Sequence, residues 1–99
     1  MKACFNDLIN EDQPILVDFF AEWCNPCKMQ TAVLHQIIEH YKDKIRIVKV
    51  NVDTNKALAK KYQIGSIPTL FLFRRGELLW NKKGLAEKDE LIGLLDLVK

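Results

Sequence analysis

The chain has 99 residues, of which 48% are hydrophobic and 28% charged, and its formal net charge is +2. This composition excludes a disordered chain, and the length fits one domain spanning residues 1–99. The basic residues are scattered among acids and turns, so we do not expect a nucleic-acid partner. There is no apolar run of 18 residues and no charged-then-apolar leader, so we expect no membrane association and a cytoplasmic location.

In chain order, the apolar patterns predict four helices and four strands. The long helix should bury the stripe Met29, Val33, Leu34, Ile37, Ile38 and Tyr41, and the last helix Leu91, Leu94, Leu95 and Val98. The order predicts an α/β fold, a mixed sheet with helices on both faces. The predicted elements are a helix within 1–10, strand 15–21, a helix from 24 or 25 to 41, strand 45–52, a helix ending near 62, strands 69–73 and 77–81 joined by a hairpin turn at 75–76, and helix 87–98.

Cys24 and Cys27 lie where the first strand, which is apolar at nearly every position, gives way to the long helix. Two cysteines at this spacing can close a small ring and so exchange an electron pair with another disulfide. At a helix N-terminus, the unpaired N–H groups and the positive dipole end favour a thiolate at Cys24. Pro26 suits the first helical turn, where its missing N–H is not needed.

A Cys-x-x-Cys pair can also be half of a zinc site. The remaining candidate ligands are Cys4, His35 and His40. His35 falls on the polar side of the predicted helix and His40 at the border of its apolar stripe, and there is no second Cys-x-x-Cys. The pattern therefore favours redox chemistry without a metal. Cys4, outside the motif, is expected to be a partly buried apolar residue.

Two segments far apart in the chain match the sequence pattern of one protein family, and they occur in the same order as in that pattern. The run Asp18-Phe19-x-Ala21-Glu22-Trp23-Cys24-x-Pro26-Cys27-Lys28 is followed about forty residues later by Ile67-Pro68-Thr69 and then by Gly84. This pattern resembles the thioredoxin family. The resemblance implies the thioredoxin fold, with four strands instead of the usual five because too few residues precede Phe5 for the family's first strand.

Without that first strand, residues 45–52 would form an open edge of the sheet. An exposed edge this apolar predicts either a weak dimer or a docked partner strand, whereas coverage by residues 1–3 would leave a monomer. The oligomeric state is therefore expected to be a monomer or a weak dimer.

The resemblance implies an enzyme that reduces protein disulfides through its dithiol, binds no cofactor and is itself reduced by a flavin-dependent reductase. Two alternatives stay open: a more oxidising oxidase or isomerase, and a binding or assembly module that has kept the fold. Asn25 replaces the glycine usual between the two cysteines. Because the intervening residues influence the reduction potential in this superfamily, the potential is not fixed by the motif.

The resemblance also assigns roles to individual residues. Cys24 would attack the substrate disulfide and Cys27 would resolve the mixed disulfide. Burial should raise the pKa of the Asp18 carboxyl, so that Asp18 can take the proton of Cys27, and Lys49 matches a lysine that pairs with this aspartate. Pro68 matches a cis-proline. The expected substrate-binding residues are Trp23, Asn25, Pro26, Ser66, Ile67, Pro68, Gly84 and Leu85.

Overall fold

The computed structural model describes residues 4–99. A single 3-10 turn, Lys42–Lys44, follows the second helix. Within the described residues, the helices and strands are α1 (Phe5–Ile9), β1 (Ile15–Phe20), α2 (Asn25–Tyr41), β2 (Arg46–Asn51), α3 (Lys56–Lys61), β3 (Thr69–Arg74), β4 (Glu77–Lys83) and α4 (Lys88–Val98). The number, type and order of the predicted elements are therefore confirmed, and α2 begins and ends at the predicted residues Asn25 and Tyr41.

The strands form one mixed sheet in the order β2-β1-β3-β4. β1 runs parallel to β2 and antiparallel to β3, and β3 forms an antiparallel hairpin with β4. β4 runs two residues beyond the predicted Asn81, because its ladder with β3 continues to the pair Thr69 and Lys83. Among the described residues, β2 has a strand on one side only. Within residues 4–99 the predicted open edge is therefore present, and the predicted coverage by residues 1–3 lies outside the described residues.

β1 is buried on both faces because it is central in the sheet and each face carries its own apolar cluster. Leu16 belongs to the cluster with α2 and α4, whereas Ile15, Val17 and Phe19 belong to the cluster with α1 and α3. Alternation along a strand puts Asp18 on the same face as Leu16, beneath α2. The sheet thus places the carboxylate inside the protein, close to the beginning of the cysteine-bearing helix.

The buried face of α2 differs from the predicted stripe. Met29 is 58% exposed and Ile38 37% exposed, while Gln30 is fully buried. The buried positions instead follow steps of three and four residues, which keep them on one line of the helix: Cys27, Gln30, Leu34, Ile37 and Tyr41. Met29 and Ile38 each lie one residue off this line and so turn towards solvent.

Cys4, the residue directly before α1, also departs from expectation. Cys4 is exposed, so the prediction of a partly buried apolar residue is wrong. The physical reason is that Cys4 is only the N-cap residue of the five-residue helix α1, in which Ile9 is the one buried residue.

Candidate active site

The two cysteines of the motif lie between β1 and α2 and are joined by a disulfide bond. Cys24 is the N-cap residue of α2, and its sulfur accepts a hydrogen bond of 3.1 Å from the backbone N–H of Cys27. Pro26 lies in the first turn of the helix, as predicted. In the reduced protein, the same N–H group and the positive end of the helix dipole would stabilise a thiolate at Cys24.

The loop that precedes β3 passes directly beside the dithiol. The Ile67–Pro68 peptide bond is cis, as the resemblance implies. The carbonyl oxygen of Ile67 lies 3.9 Å from the sulfur of Cys24, and the hydroxyl of Thr69 donates to the carbonyl of Ser66 at 2.7 Å. Ser66 is exposed and Ile67 half-buried. Backbone groups of this loop are therefore within reach of any molecule bound to Cys24.

A second loop, between β4 and α4, completes the surroundings of the dithiol. The backbone N–H of Gly84 donates to the carbonyl of Pro68 at 2.8 Å, so this loop is tied to the loop that precedes β3. Gly84 has φ +93°, a conformation that side chains with a Cβ rarely adopt. Leu85, the next residue, is half-buried. The structure therefore brings Gly84 and Leu85 to the loop that contacts Cys24.

The three expected binding residues nearest the cysteines are all exposed: Trp23, Asn25 and Pro26. Trp23 is 70% exposed, and its indole Nε1 donates to the Asp53 carboxylate at 2.8 Å. This hydrogen bond fixes the orientation of a large apolar side chain that would otherwise be free in solvent. Sequence reasoning missed Asp53, because the bond joins residues 30 positions apart.

Asp18 is fully buried, and neither of its carboxyl oxygens has a hydrogen-bond partner among the described residues. Burial raises the pKa of the Asp18 carboxyl from 3.8 to about 6, and the positive charge of Lys49 lowers it in part. The raised pKa was expected from the position of Asp18 in a buried strand. An acid with a pKa close to neutrality can both accept and return a proton under physiological conditions.

Lys49 faces Asp18 in the register of β1 and β2 but forms no direct ion pair with it. Its side chain is exposed; Nζ donates to the hydroxyl of Thr31 at 2.7 Å and lies 4.5 Å from the centre of the Phe20 ring. The structure therefore shows a solvated Lys49 that influences Asp18 by its charge without a direct ion pair. A direct pair would require the ammonium group to enter the core, and the Thr31 hydroxyl instead offers it a hydrogen bond at the surface. Lys49 acts on Asp18 through space.

The Thioredoxin family model matches residues 1–96. The chain belongs to the thioredoxin family.

Relatives of this family are similar over most of their length. Thioredoxin of Rickettsia bellii is 42% identical over 91 residues, which is 92% of this chain and 87% of the relative. Thioredoxin of Acidithiobacillus ferridurans is 43% identical over 90 residues, covering 91% of this chain and 83% of the relative. With the Cys24–Cys27 pair, these matches identify a thiol–disulfide oxidoreductase with protein-disulfide reductase activity.

Solved structures agree on the thioredoxin fold. One described as a malarial protein has a TM-score of 0.82 and 31% identity, covering 87% of this chain and 97% of that one. A thioredoxin-2, described as a component of the malaria parasite protein secretion machinery, has a TM-score of 0.83 and 32% identity, covering 86% of this chain and 82% of that one.

An open cavity of about 370 Å³ lies beside Cys27 and extends to Lys49. Both Cys27 and Lys49 contribute to its wall, so water can approach Cys27 from this side. The cavity is lined by Phe20, Ala21, Glu22, Cys27, Lys28, Thr31 and Lys49.

The residues weighed as zinc ligands do not converge on the dithiol. His35 and His40 are both exposed on α2, and residues 4–99 contain no group of three His, Cys, Asp or Glu side chains placed to hold a metal. None of the helices in that same part of the chain combines the length and apolarity needed to cross a bilayer.

Sequence reasoning also missed Gln30, which is fully buried one helical turn after Cys27. Its side-chain Nε2 donates to the carbonyl of Ala86 at 3.0 Å, and its Oε1 accepts from the N–H of Ala86 at 2.8 Å. The only signal in the sequence was a polar residue three positions after Cys27 and four before Leu34, on the buried line of α2.

Proposed function

We propose that this protein reduces disulfide bonds in other proteins, with Cys24 as the attacking and Cys27 as the resolving thiol. The observation that carries the proposal is the position of Cys24. Its sulfur caps the N-terminus of α2 and lies beside the Ile67 carbonyl, so one residue combines an activated sulfur with a neighbouring backbone group that a peptide can bind.

The first step is a thiol–disulfide exchange. The Cys24 thiolate attacks one sulfur of the substrate disulfide; the substrate S–S bond breaks, an S–S bond to Cys24 forms, and the released substrate thiolate takes up a proton. The N–H of Cys27, which bonds to the Cys24 sulfur in the disulfide form, supports the thiolate before the attack because hydrogen bonds to a charged form favour that form.

The second step releases the substrate. Cys27 loses its proton and attacks the sulfur of Cys24; the mixed disulfide breaks, the second substrate thiolate leaves and takes up a proton, and the Cys24–Cys27 disulfide is restored. In the complete reaction, the substrate gains two electrons and two protons and the dithiol is oxidised. The proposed proton acceptor for Cys27 is Asp18, with water as the carrier. The pKa of the Asp18 carboxyl, about 6, suits this role.

The substrate is proposed to bind as an extended segment across the loops around Cys24. An extended peptide can form strand-like hydrogen bonds with exposed backbone groups, while apolar side chains around them contact its side chains. The proposed backbone partners are Ser66 and Ile67, next to Pro68, and the proposed surrounding surface consists of Trp23, Asn25, Pro26, Gly84 and Leu85.

The oxidised dithiol must be reduced again for turnover. The proposed electron donor is a flavin-dependent reductase of the thioredoxin-reductase kind, and the proposed setting is the cytoplasm, where thiols are kept reduced. Residues 1–99 are proposed to carry out these steps as one domain without a bound cofactor.

Reduction of insulin disulfides tests the proposal. We expect turnover with NADPH and a thioredoxin reductase, no activity after Cys24→Ser, and a trapped mixed disulfide with the substrate after Cys27→Ser. Cys4→Ser is the matched control, since Cys4 lies outside the motif and should leave the rate unchanged. A Cys24→Ser variant that keeps the wild-type rate would refute the assigned roles. A reduction potential well above that of the glutathione pool would favour the more oxidising alternative.

A further inference from the structure

We propose that Gln30 is a positioning residue that holds the loop Gly84–Ala86 against α2 and thereby determines how well a protein substrate is bound beside Cys24. The inference rests on the proposed function and adds to it a residue outside the Cys-x-x-Cys motif. Gln30 does not contact the sulfur atoms in this arrangement; it acts through the loop that contacts the substrate.

The contact between Gln30 and Ala86 uses both ends of the amide. Nε2 donates to the Ala86 carbonyl and Oε1 accepts from the Ala86 N–H, at 3.0 and 2.8 Å. Both residues are fully buried, so water cannot replace either bond. The side chain therefore supplies Ala86 with the pair of hydrogen bonds that a neighbouring strand would otherwise provide.

The loop is held at a second point, on the other side of Leu85. The Gly84 N–H donates to the Pro68 carbonyl at 2.8 Å, and Gln30 holds Ala86 two residues later. Leu85 thus lies between one anchor on the loop that contacts Cys24 and one anchor on the helix that carries Cys27. Since Gln30 is three residues after Cys27 on the same face of α2, the second anchor fixes Leu85 relative to the dithiol.

Packing alone does not explain a glutamine here. The other residues on the buried line of α2 are Cys27, Leu34, Ile37 and Tyr41, and an apolar side chain of similar volume would fill the same space. A buried amide is unfavourable unless its polar atoms are paired, but when fully paired it selects one arrangement of the backbone it binds. Gln30 therefore gives the loop Gly84–Ala86 a defined position.

The primary variant is Gln30→Met, which keeps the length of the side chain and removes both hydrogen bonds. Tyr41→Phe is the matched control. The Tyr41 hydroxyl also joins α2 to α4, by contacts of 3.1 Å to the Ile92 carbonyl and 2.7 Å to Asp96, but at the opposite end of the helix from the dithiol. Both variants lose polar contacts made by α2, and only the first alters the loop beside Cys24.

Two substrates separate binding at the loop from the chemistry of the dithiol. One is a disulfide-bridged fluorogenic peptide and the other is 5,5′-dithiobis(2-nitrobenzoic acid), which is too small to span the loops. Pre-reduced protein is mixed with each, and the maximal rate and the half-saturating concentration are measured. For Gln30→Met we expect the half-saturating peptide concentration to rise about tenfold, with a similar maximal rate and a rate towards the small disulfide within about twofold of wild type.

Tyr41→Phe should lower the denaturation midpoint and change neither substrate's kinetics. The positioning role would be overturned if Gln30→Met lost activity equally towards the peptide and the small disulfide. It would also be overturned if the half-saturating peptide concentration were unchanged. Failure of the wild-type protein to reduce either substrate would instead refute the proposed function, so the two failures are distinguishable.

Gln30→Glu provides a second test that does not depend on the stability of Gln30→Met. A protonated carboxyl can donate to the Ala86 carbonyl and accept from its N–H, as the amide does, whereas the ionised carboxylate can only accept. The measured quantity is the ratio of the half-saturating peptide concentration of Gln30→Glu to that of wild type at the same pH. This ratio should therefore be close to one at low pH and rise several-fold at high pH. A ratio that does not change with pH would overturn the proposal.

Discussion

Replacing Asp18 by Asn should stabilise the protein above neutral pH and leave its stability nearly unchanged in acid. The Asp18 carboxyl is fully buried without a hydrogen-bond partner among the described residues, so its ionised form is poorly solvated in the fold. Asparagine has nearly the same shape and no charge. The change therefore removes the cost of ionisation while leaving the packing around β1 in place.

The magnitude follows from the pKa of Asp18, which burial raises from 3.8 to about 6. The folded state binds the proton more tightly than the unfolded state, so stability falls as pH rises from about 4 to about 6 and is level above that range. One pKa unit corresponds to about 1.36 kcal/mol, which puts the cost of the ionised carboxylate in the fold at about 3 kcal/mol. The stability advantage of Asp18→Asn should approach this value at about pH 8 and fall to near zero at about pH 3, below both pKa values.

Denaturation by guanidinium chloride at a series of pH values, on wild-type protein and Asp18→Asn, measures this difference. The oxidised forms should be compared, because the disulfide prevents Cys24 and Cys27 from titrating. Groups that titrate alike in both proteins cancel in the difference. A stability difference that is independent of pH, or a destabilised variant at about pH 8, would refute the account of Asp18 as a poorly solvated buried acid.

Three further outcomes follow from the site and the sheet. Lys49→Met should raise the pKa of the Asp18 carboxyl further, because the positive charge that lowers it is lost; an NMR titration of the carboxyl carbon that gives an unchanged midpoint would contradict this. In a Cys4→Ser background, iodoacetamide at neutral pH should label Cys24 before Cys27, as shown by mass spectrometry of the reduced protein; the reverse order would exchange the proposed roles. If the open edge of β2 is unpaired in solution, its outward-facing amides should exchange fast; slow exchange that persists on dilution to a proven monomer would exclude self-association through this edge.

The backbone hydrogen bonds show which amides of β2 face outward, since the direction of the N–H groups alternates along the strand. The N–H of Arg46 donates to the carbonyl of Pro14, directly before β1, and the N–H of Val52 donates to the carbonyl of Phe20, the last residue of β1. The N–H groups of even-numbered residues of β2 therefore face β1, and those of odd-numbered residues face outward. The same alternation decides which peptide groups a second strand could bind. Protection confined to the even-numbered amides would match an isolated edge, whereas protection at both would indicate an added strand.

Much of the fold could be predicted from the sequence because its signals are local. A continuous apolar run around Asp18 indicates a central strand, and the change of apolar period after Cys27 indicates a helix. The junction of this strand and helix places Cys24 at the helix N-terminus independently of how the other elements pack. The burial of Asp18 and the raised pKa of its carboxyl follow from the same local pattern, since a residue inside a strand covered on both faces cannot reach solvent.

Other features were decided only when the elements packed together. Met29 belongs to an apolar pattern but is exposed, while Gln30 beside it is buried, because the docking of α2 selects one line of positions that hydropathy alone does not distinguish. Lys49 bonds to Thr31 at the surface instead of entering the core to meet Asp18.

The sequence by itself determined the dithiol, the strand–helix junction that carries it and the buried acid beneath that junction. Tertiary structure alone decided that Gln30 binds the backbone of Ala86, 56 residues away, and that Trp23 binds Asp53, 30 residues away. The physical reason is that a local pattern indicates only which side of a helix or strand is apolar. A hydrogen bond between distant residues depends in addition on the distance and angle at which two elements pack.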